Sequence, residues 1–462
     1  GLELARTAGV FGDENLAERY RYLWDCTEKA FAQAANEEKI TNRENLCASN
    51  APPLVAIPSH TERATVRYSG LGAKSLVAAG GAESKKRKVD SMRKHMTRLF
   101  DEALGGGTAA GERVVYVGED VRHGGYYLVT DGLYKKYPAR VHDFPPDETT
   151  LLGAGHGFSQ AGMVPIVEIP YAKYLDCGAD MFYEIIITHW LTNGRQRDGM
   201  VIRLQGFDKG KFGGNFHTHN TIYTPPGLDV VCYSNGADYV RGMRYALRQA
   251  AHSGRISMFV DSTDLLNRRH LGMDGDMSGA RDDAWLTEYP EWSDSTCVAE
   301  MSYDDVVLYR GDWSSGNQGP QFIEGHPTQE SSAPTVKKGK LCIVSFGNGV
   351  PSALQAMQRM INNQNDAADE IAVIDSPYLS SPPAALVRVL QQFDHVVFAD
   401  VSKEGASMIF GGFVVQLQNK KLLGPSWRVV GAQPTYNPLG QLLTFLSSED
   451  IESAAHALLN IK

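Results

Sequence analysis

From Ser91 onward the chain alternates short apolar runs with helix-length amphipathic segments, and that rhythm restricts the fold more than any other feature of its 462 residues. Arg113-Val-Val-Tyr-Val117, Met163-Val-Pro-Ile-Val-Glu168, Met200-Val-Ile-Arg203, Asp229-Val-Val-Cys-Tyr233 and Ile256-Ser-Met-Phe-Val260 read as strands. Helices are expected over about 91–104, 178–193 and 236–252. A second block of the same kind begins at Lys340. Strand Leu341-Cys-Ile-Val-Ser-Phe346 enters Gly347-Asn-Gly-Val350, a helix follows at about 351–363, then strand Glu370–Ile374 and a helix at about 383–393. Strand His395–Ala399 and a last helix from Ser448 to Leu459 complete it. Strands alternating with helices predict largely parallel sheets covered on both faces. The expected fold class is therefore α/β, with two doubly wound domains.

The remaining chain breaks the rhythm. Residues 13–36 read as a helix capped by Asp13, with Leu16, Tyr20, Leu23, Thr27 and Phe31 near one face. Residues 40–91 hold Ala-Pro-Pro, much Gly and Ala and little periodicity, and are expected to form an extended arm over another subunit or partly disordered chain. Within them Lys85-Lys-Arg-Lys88 is read as a solvated lead-in to the next helix in preference to a nuclear import signal. Residues 268–335, rich in Asp, Gly, Ser and Trp, are expected to be a surface insertion or interdomain linker. The chain thus divides into an N-terminal helix and arm (1–91), a first α/β domain (92–267), the insertion (268–335) and a second α/β domain (336–462). The start at Gly1 suggests a processed product or part of something longer. A net charge of -9 argues against nucleic acid as a partner, and no apolar run is long enough to suggest a membrane span. Six cysteines without a CxxC pair suit a reducing compartment and offer no zinc framework.

The most informative chemistry lies in Asp143-Phe-Pro-Pro-Asp-Glu148-Thr-Thr-Leu-Leu-Gly-Ala-Gly-His-Gly-Phe-Ser-Gln-Ala-Gly-Met-Val-Pro-Ile-Val-Glu168. It reads as a strand end carrying a carboxylate, a helix of small residues, then a strand. Gly153, Gly155 and Gly157 allow a planar cofactor or a partner backbone to come close. Glu148 then stands at the mouth of an α/β crevice, where such sheets bind ligands. A rigid, desolvated carboxyl there suits proton transfer at a ring; an ordinary surface Asp-Glu pair is the competing reading.

This segment resembles the cofactor-activating stretch of the β subunit in 2-oxo acid dehydrogenase complexes, within the transketolase-like thiamine diphosphate superfamily. The resemblance covers 92–265 well and 336–462 moderately, and implies a pyrimidine-binding domain followed by a transketolase C-terminal domain. It implies that Glu148 hydrogen-bonds the aminopyrimidine of thiamine diphosphate. Gly118-Glu119-Asp120-Val121 with Gly124-Gly125 looks like the GEDV-x-x-GG stretch of branched-chain β subunits, which places Glu119 near the same ring; a solvated acidic turn is the alternative. Tyr174 falls where the family has a Phe stacked on the aminopyrimidine, with Tyr171 as the fallback and plain core packing as the alternative for either. Gly213-Gly-Asn-Phe-His217-Thr-His219-Asn220 resembles the family's G-G-x-F-H-S-Q-N loop and maps the active-site histidine onto His217. His219 departs from that pattern, and the loop is a few residues short.

The family's diphosphate and Mg²⁺ motif, a GDG with a later Asn, is not supplied by Gly272-Met-Asp-Gly-Asp276. By resemblance this chain binds the pyrimidine half of the cofactor, and an α subunit holds the diphosphate and Mg²⁺, either in an α2β2 assembly or in a fused α/β polypeptide. No metal is expected on this chain, including the potassium of some relatives near Ala250–Arg255. The implied activity is oxidative decarboxylation of a 2-oxo acid, branched-chain or pyruvate, with acyl transfer to a lipoyl-bearing acyltransferase core. A transketolase-type enzyme and a catalytically silent subunit of the same fold are the alternatives. The implied compartment is the mitochondrial matrix, with a bacterial cytoplasm as the other fit.

Overall fold

The computed structural model describes residues 7–9, 16–39, 41–43, 90–207, 225–268, 289–291, 299–310, 320–325, 336–364, 370–405, 408–435 and 444–459. The chain divides into two compact units, Gly1–Asn50 and Ala51–Lys462. Among its described residues the first carries helix α1 (Leu16–Asn36), on which Tyr20, Leu23, Trp24 and Phe31 are all exposed. The segment expected to be an extended arm lies outside the described residues except at 41–43 and 90–91. No helix among the described residues is long and apolar enough to cross a membrane.

The second unit contains two six-stranded sheets. The first is built from β1 (Val114–Gly118), β2 (Val141–Asp143), β3 (Val164–Ile169), β4 (Met200–Gln205), β5 (Leu228–Val231) and β6 (Ile256–Asp261). Its order is β2-β1-β3-β4-β6-β5 and every pairing is parallel. Except in β2, every residue of these strands is buried, as a sheet covered on both faces requires. Helices α2 (Met92–Leu104), α3 (Glu148–Gln160), α4 (Ala179–Leu191) and α5 (Gly236–Ser253) cover it. On α2, Met92, Met96, Leu99 and Ala103 bury one stripe at helical spacing, and Phe100 packs edge-on against Tyr116 of β1. The alternate residues of β1, Val115 and Val117, form a separate cluster with Leu151 of α3 and Val167 of β3. Among the small residues of α3, Gly155 has a packing reason there. A Cβ on Gly155 would stand 2.4 Å from Val167 Cγ2, so the helix lies against the sheet only because that position is bare.

The second sheet contains β7 (Val306–Arg310), β8 (Gln321–Ile323), β9 (Gly339–Ser345), β10 (Ile371–Asp375), β11 (Phe393–Lys403) and β12 (Trp427–Ala432), in the order β12-β11-β9-β10-β7-β8. Helices α6 (Gly349–Gln364), α7 (Ala384–Leu390), α8 (Ile409–Asn419) and α9 (Ser448–Leu459) accompany it. Part of the segment read as a surface insertion belongs to this sheet: β7 is fully buried and runs antiparallel to both β10 and β8. An antiparallel strand needs no crossover helix, so it interrupts the β–α rhythm by which the other strands were read.

The sheets are joined at β5. Val231 bridges Tyr378 in the β10–α7 connection, Leu379 N–H donates to Val230 O at 2.8 Å, and Cys232 N–H donates to Pro377 O at 2.8 Å. Tyr378 also donates its hydroxyl to Asp229 Oδ1 at 2.9 Å.

Candidate active site

In a parallel sheet, loops gather ligands at the carboxyl ends of the strands. Here β1 ends at Gly118, β2 at Asp143 and β3 at Ile169, and the loops leaving these three ends carry Glu119, Glu148 and Tyr174.

Glu148 is the first residue of α3 and is 8% exposed. Its negative charge sits at the positive end of the helix dipole. The backbone around it is tightly fitted: a Cβ on Gly178 would lie 3.0 Å from Glu148 C and 3.1 Å from its Cβ. Among the described residues the Glu148 carboxylate makes no hydrogen bond and no ion pair. A buried acid without a partner is costly unless something outside the described chain engages it.

The chain leaving β3 turns at Tyr171 and winds through a short 3-10 segment, Ala172–Gly178. Tyr171 is buried and Tyr174 half-buried, with the rings edge-to-face at a centroid distance of 5.4 Å. Burial pushes the Tyr174 phenol above its ordinary range, reinforced by Tyr171 and by the charges of Glu148 and Glu119. Three of the residues expected from sequence thus lie at the same end of the sheet.

Glu119 is half-buried and accepts a hydrogen bond on Oε1 from the Tyr126 hydroxyl at 2.7 Å. The Tyr126 ring meets Tyr171 at 5.9 Å, and Tyr127 meets the same ring at 6.4 Å. Four tyrosines and two carboxylates thus share one end of the sheet. His217 and the rest of Gly213–Asn220 lie outside the described residues.

A buried charged network supports this loop from below. Arg203 of β4 pairs with Glu168 of β3 and with Asp261 of β6, the latter at 2.7 Å, and Tyr116 donates its hydroxyl to Glu168. Burial pushes the Asp261 carboxyl up to about 6, although the Arg203 guanidinium opposes it. Gly125 packs on this network, its missing Cβ falling 2.9 Å from Glu168 Oε1 at a φ of +65°. Sequence reading missed both this network and Tyr126. The signal for the network was three charged residues within otherwise apolar strands.

The whole arrangement is a two-domain α/β chain with an acid-and-tyrosine site at the carboxyl end of its first parallel sheet. Residues 93–266 match the family described as "Transketolase, pyrimidine binding domain". That match and the relatives below make the chain similar to transketolase-like β subunits. It is 27% identical over 311 residues to the pyruvate dehydrogenase E1 component subunit beta of Chlorokybus atmophyticus, covering 61% of this chain and 88% of that protein. It is 24% identical to the mitochondrial 2-oxoisovalerate dehydrogenase subunit beta of Chaetomium thermophilum, covering 43% of each. It is 30% identical to the acetoin:2,6-dichlorophenolindophenol oxidoreductase subunit beta of Cupriavidus necator, but over only 30% of this chain and 40% of that one. A solved structure titled "Split gene transketolase, inactive beta4 tetramer" shares the fold, with a TM-score of 0.51 over 81% of this chain and all of that one, at 14% identity.

Proposed function

We propose that this chain is the β-type chain of a thiamine diphosphate-dependent 2-oxo acid dehydrogenase, acting on pyruvate or a branched-chain 2-oxo acid and passing the acyl unit to lipoamide. The observation that carries the reading is Glu148: a buried carboxylate, unpaired among the described residues, at the start of α3 and at the same end of the sheet as Tyr171 and Tyr174. That donor set fits a flat heteroaromatic ring with N–H and ring-nitrogen positions. The carboxyl holds or shares a proton at a ring nitrogen, while Tyr171 and Tyr174 supply aromatic surface. Thiamine diphosphate, when bound, supplies the nucleophilic carbon and the electron sink for decarboxylation. Glu119 adds a second carboxylate on the same side of the sheet, and His217, by its place in the loop, is assigned to the reacting end of the substrate. An α-type partner chain supplies the diphosphate and Mg²⁺ site, and a lipoyl-bearing core receives the product. The mitochondrial matrix is the assigned compartment.

The test is calorimetry with thiamine diphosphate and Mg²⁺, on this chain alone and with its copurifying partner. Binding in the mixture only, weakened at least about tenfold by Glu148→Gln, is the expected result. Tight binding by the isolated chain points instead to a transketolase-type enzyme with a complete site. Absence of binding in both samples identifies a catalytically silent subunit and removes the proposal.

A further inference from the structure

The loop from Gly118 to Thr130 is held in one shape by its own backbone. Gly125 N–H donates to Asp120 O at 3.0 Å, Thr130 N–H to Gly124 O at 3.3 Å, and Thr130 Oγ1 to Val121 O at 2.8 Å. Asp120 and Leu128 both take φ values of 55°, in the left-handed region that side-chain-bearing residues seldom occupy. Such strain persists only where the surroundings over-determine it, and here the loop is bonded across its width and seated on the buried Glu168–Arg203 pair. This shape places Tyr126 against both Glu119 and Tyr171. Tyr126, seven residues after Glu119, swings back so that its hydroxyl meets Glu119 Oε1, while its ring edge meets Tyr171.

We propose that Tyr126 is a positioning residue, its hydroxyl fixing the rotamer of the Glu119 carboxylate so that Oε2 alone is left to engage what binds at the site. This rests on the thiamine diphosphate reading above. Among the described residues Oε2 of Glu119 makes no hydrogen bond, so the carboxylate has one oxygen anchored and one open. A carboxylate on a turn has free rotation about its terminal bonds, and a single charge-assisted bond to a ring held edge-on removes most of it. Tyr126 is 45% exposed; the partial desolvation of its phenol, then the hydrogen bond and charge of Glu119, push its ionisation upward from the ordinary tyrosine range. An ordinary phenol is already a donor at neutral pH, and this shift is in the direction that keeps it one.

The experiment has two readouts. The first uses the full-length chain without cofactor and follows the ζ-carbon resonance of Tyr126 through alkaline pH. Glu119→Gln is expected to bring its ionisation down by about a unit or more, because the neighbouring charge is removed. The second is a double-mutant cycle on thiamine diphosphate affinity in the complex with the partner chain. Tyr126→Phe, which keeps the ring, is expected to weaken binding about five- to tenfold in the wild-type background and less than about twofold in the Glu119→Gln background. Additive losses across the cycle, or a Tyr126 resonance indifferent to Glu119→Gln, overturn the proposal. A coupled titration with no cofactor binding in any variant supports the Tyr126–Glu119 lock and overturns the thiamine diphosphate reading instead.

Discussion

Two glycines, one packed on the start of α3 and one further along that helix, have opposite requirements. Gly178 is closed in on three sides, with Leu152 Cδ1 2.9 Å and Glu148 backbone 3.0 Å from where a Cβ would go. Gly157, on α3, has nothing within 4 Å. Gly178→Ala is expected to destabilise the chain by about 1–3 kcal/mol through overpacking, and to weaken cofactor affinity because the atom displaced belongs to Glu148. Gly157→Ala is expected to stabilise the isolated chain by about 0.5–1 kcal/mol from helix propensity alone. Urea denaturation of both variants measures the contrast, and equal midpoints would refute the close packing inferred around Glu148. The same residue scale shows how far the site was legible beforehand. The motifs around Glu148, Glu119 and Tyr174 marked them in the sequence as candidates, and the structure places all three at the carboxyl end of the first sheet. Tyr126 was not, since its contact with Glu119 depends on two left-handed residues and a loop fold that no local pattern announces.

At the level of strands and helices, most of the parallel elements were readable and the antiparallel ones were not. The helix expected over 91–104 and the strand expected over 113–117 are found at Met92–Leu104 and Val114–Gly118, because burial on both faces writes continuous apolar runs. The elements β7 and β8 were absorbed into a segment judged by its Asp, Gly and Trp content, and α8 and β12 were not read at all. The turn before β7 contains a device with a measurable consequence. Asp305 is buried, accepting from Ser302 N–H at 2.6 Å and Gly325 N–H at 2.8 Å, so it ties β7 to the end of β8. Burial pushes its carboxyl from 3.8 up to about 6 in spite of those bonds. The folded chain thus keeps a proton that the unfolded chain has lost between about pH 4 and pH 6. Stability from this group falls as pH rises through that window, and above it the whole penalty of about 3 kcal/mol is present. Asp305→Asn is expected to shrink the loss of unfolding free energy between pH 4.5 and 7 by about 1–3 kcal/mol, with Asp261 accounting for part of what remains. A pH dependence identical to the wild type would contradict this assignment.

For the Ala51–Lys462 unit as a whole, the decisive contact is the one that closes the β5 edge of the first sheet. Tyr378 bonds Asp229, stacks on Tyr303 at 5.0 Å, and sits in a backbone bridge to Val231, while Ser380 Oγ accepts from Val230 N–H at 2.9 Å. An uncovered edge is where a sheet opens first and where stray strands add. Tyr378→Ala is expected to raise amide exchange in β5 at least about tenfold while β3 and β4 keep their protection, read by mass spectrometry of the corresponding peptides. Unchanged exchange in β5 would show that the latch contributes nothing to holding the two sheets as one cooperative body.

That latch also sets a schedule for synthesis. Val230 and Ser380 are 150 residues apart in the chain, so a ribosome working at about 5–20 residues per second leaves roughly 8–30 s between delivering one partner and the other. Once β6 has emerged as well, the nascent first sheet has all six of its strands while its β5 flank is still bare. A chaperone that shields that flank has a defined window in which to act, and it closes when the Pro377–Ser380 turn emerges.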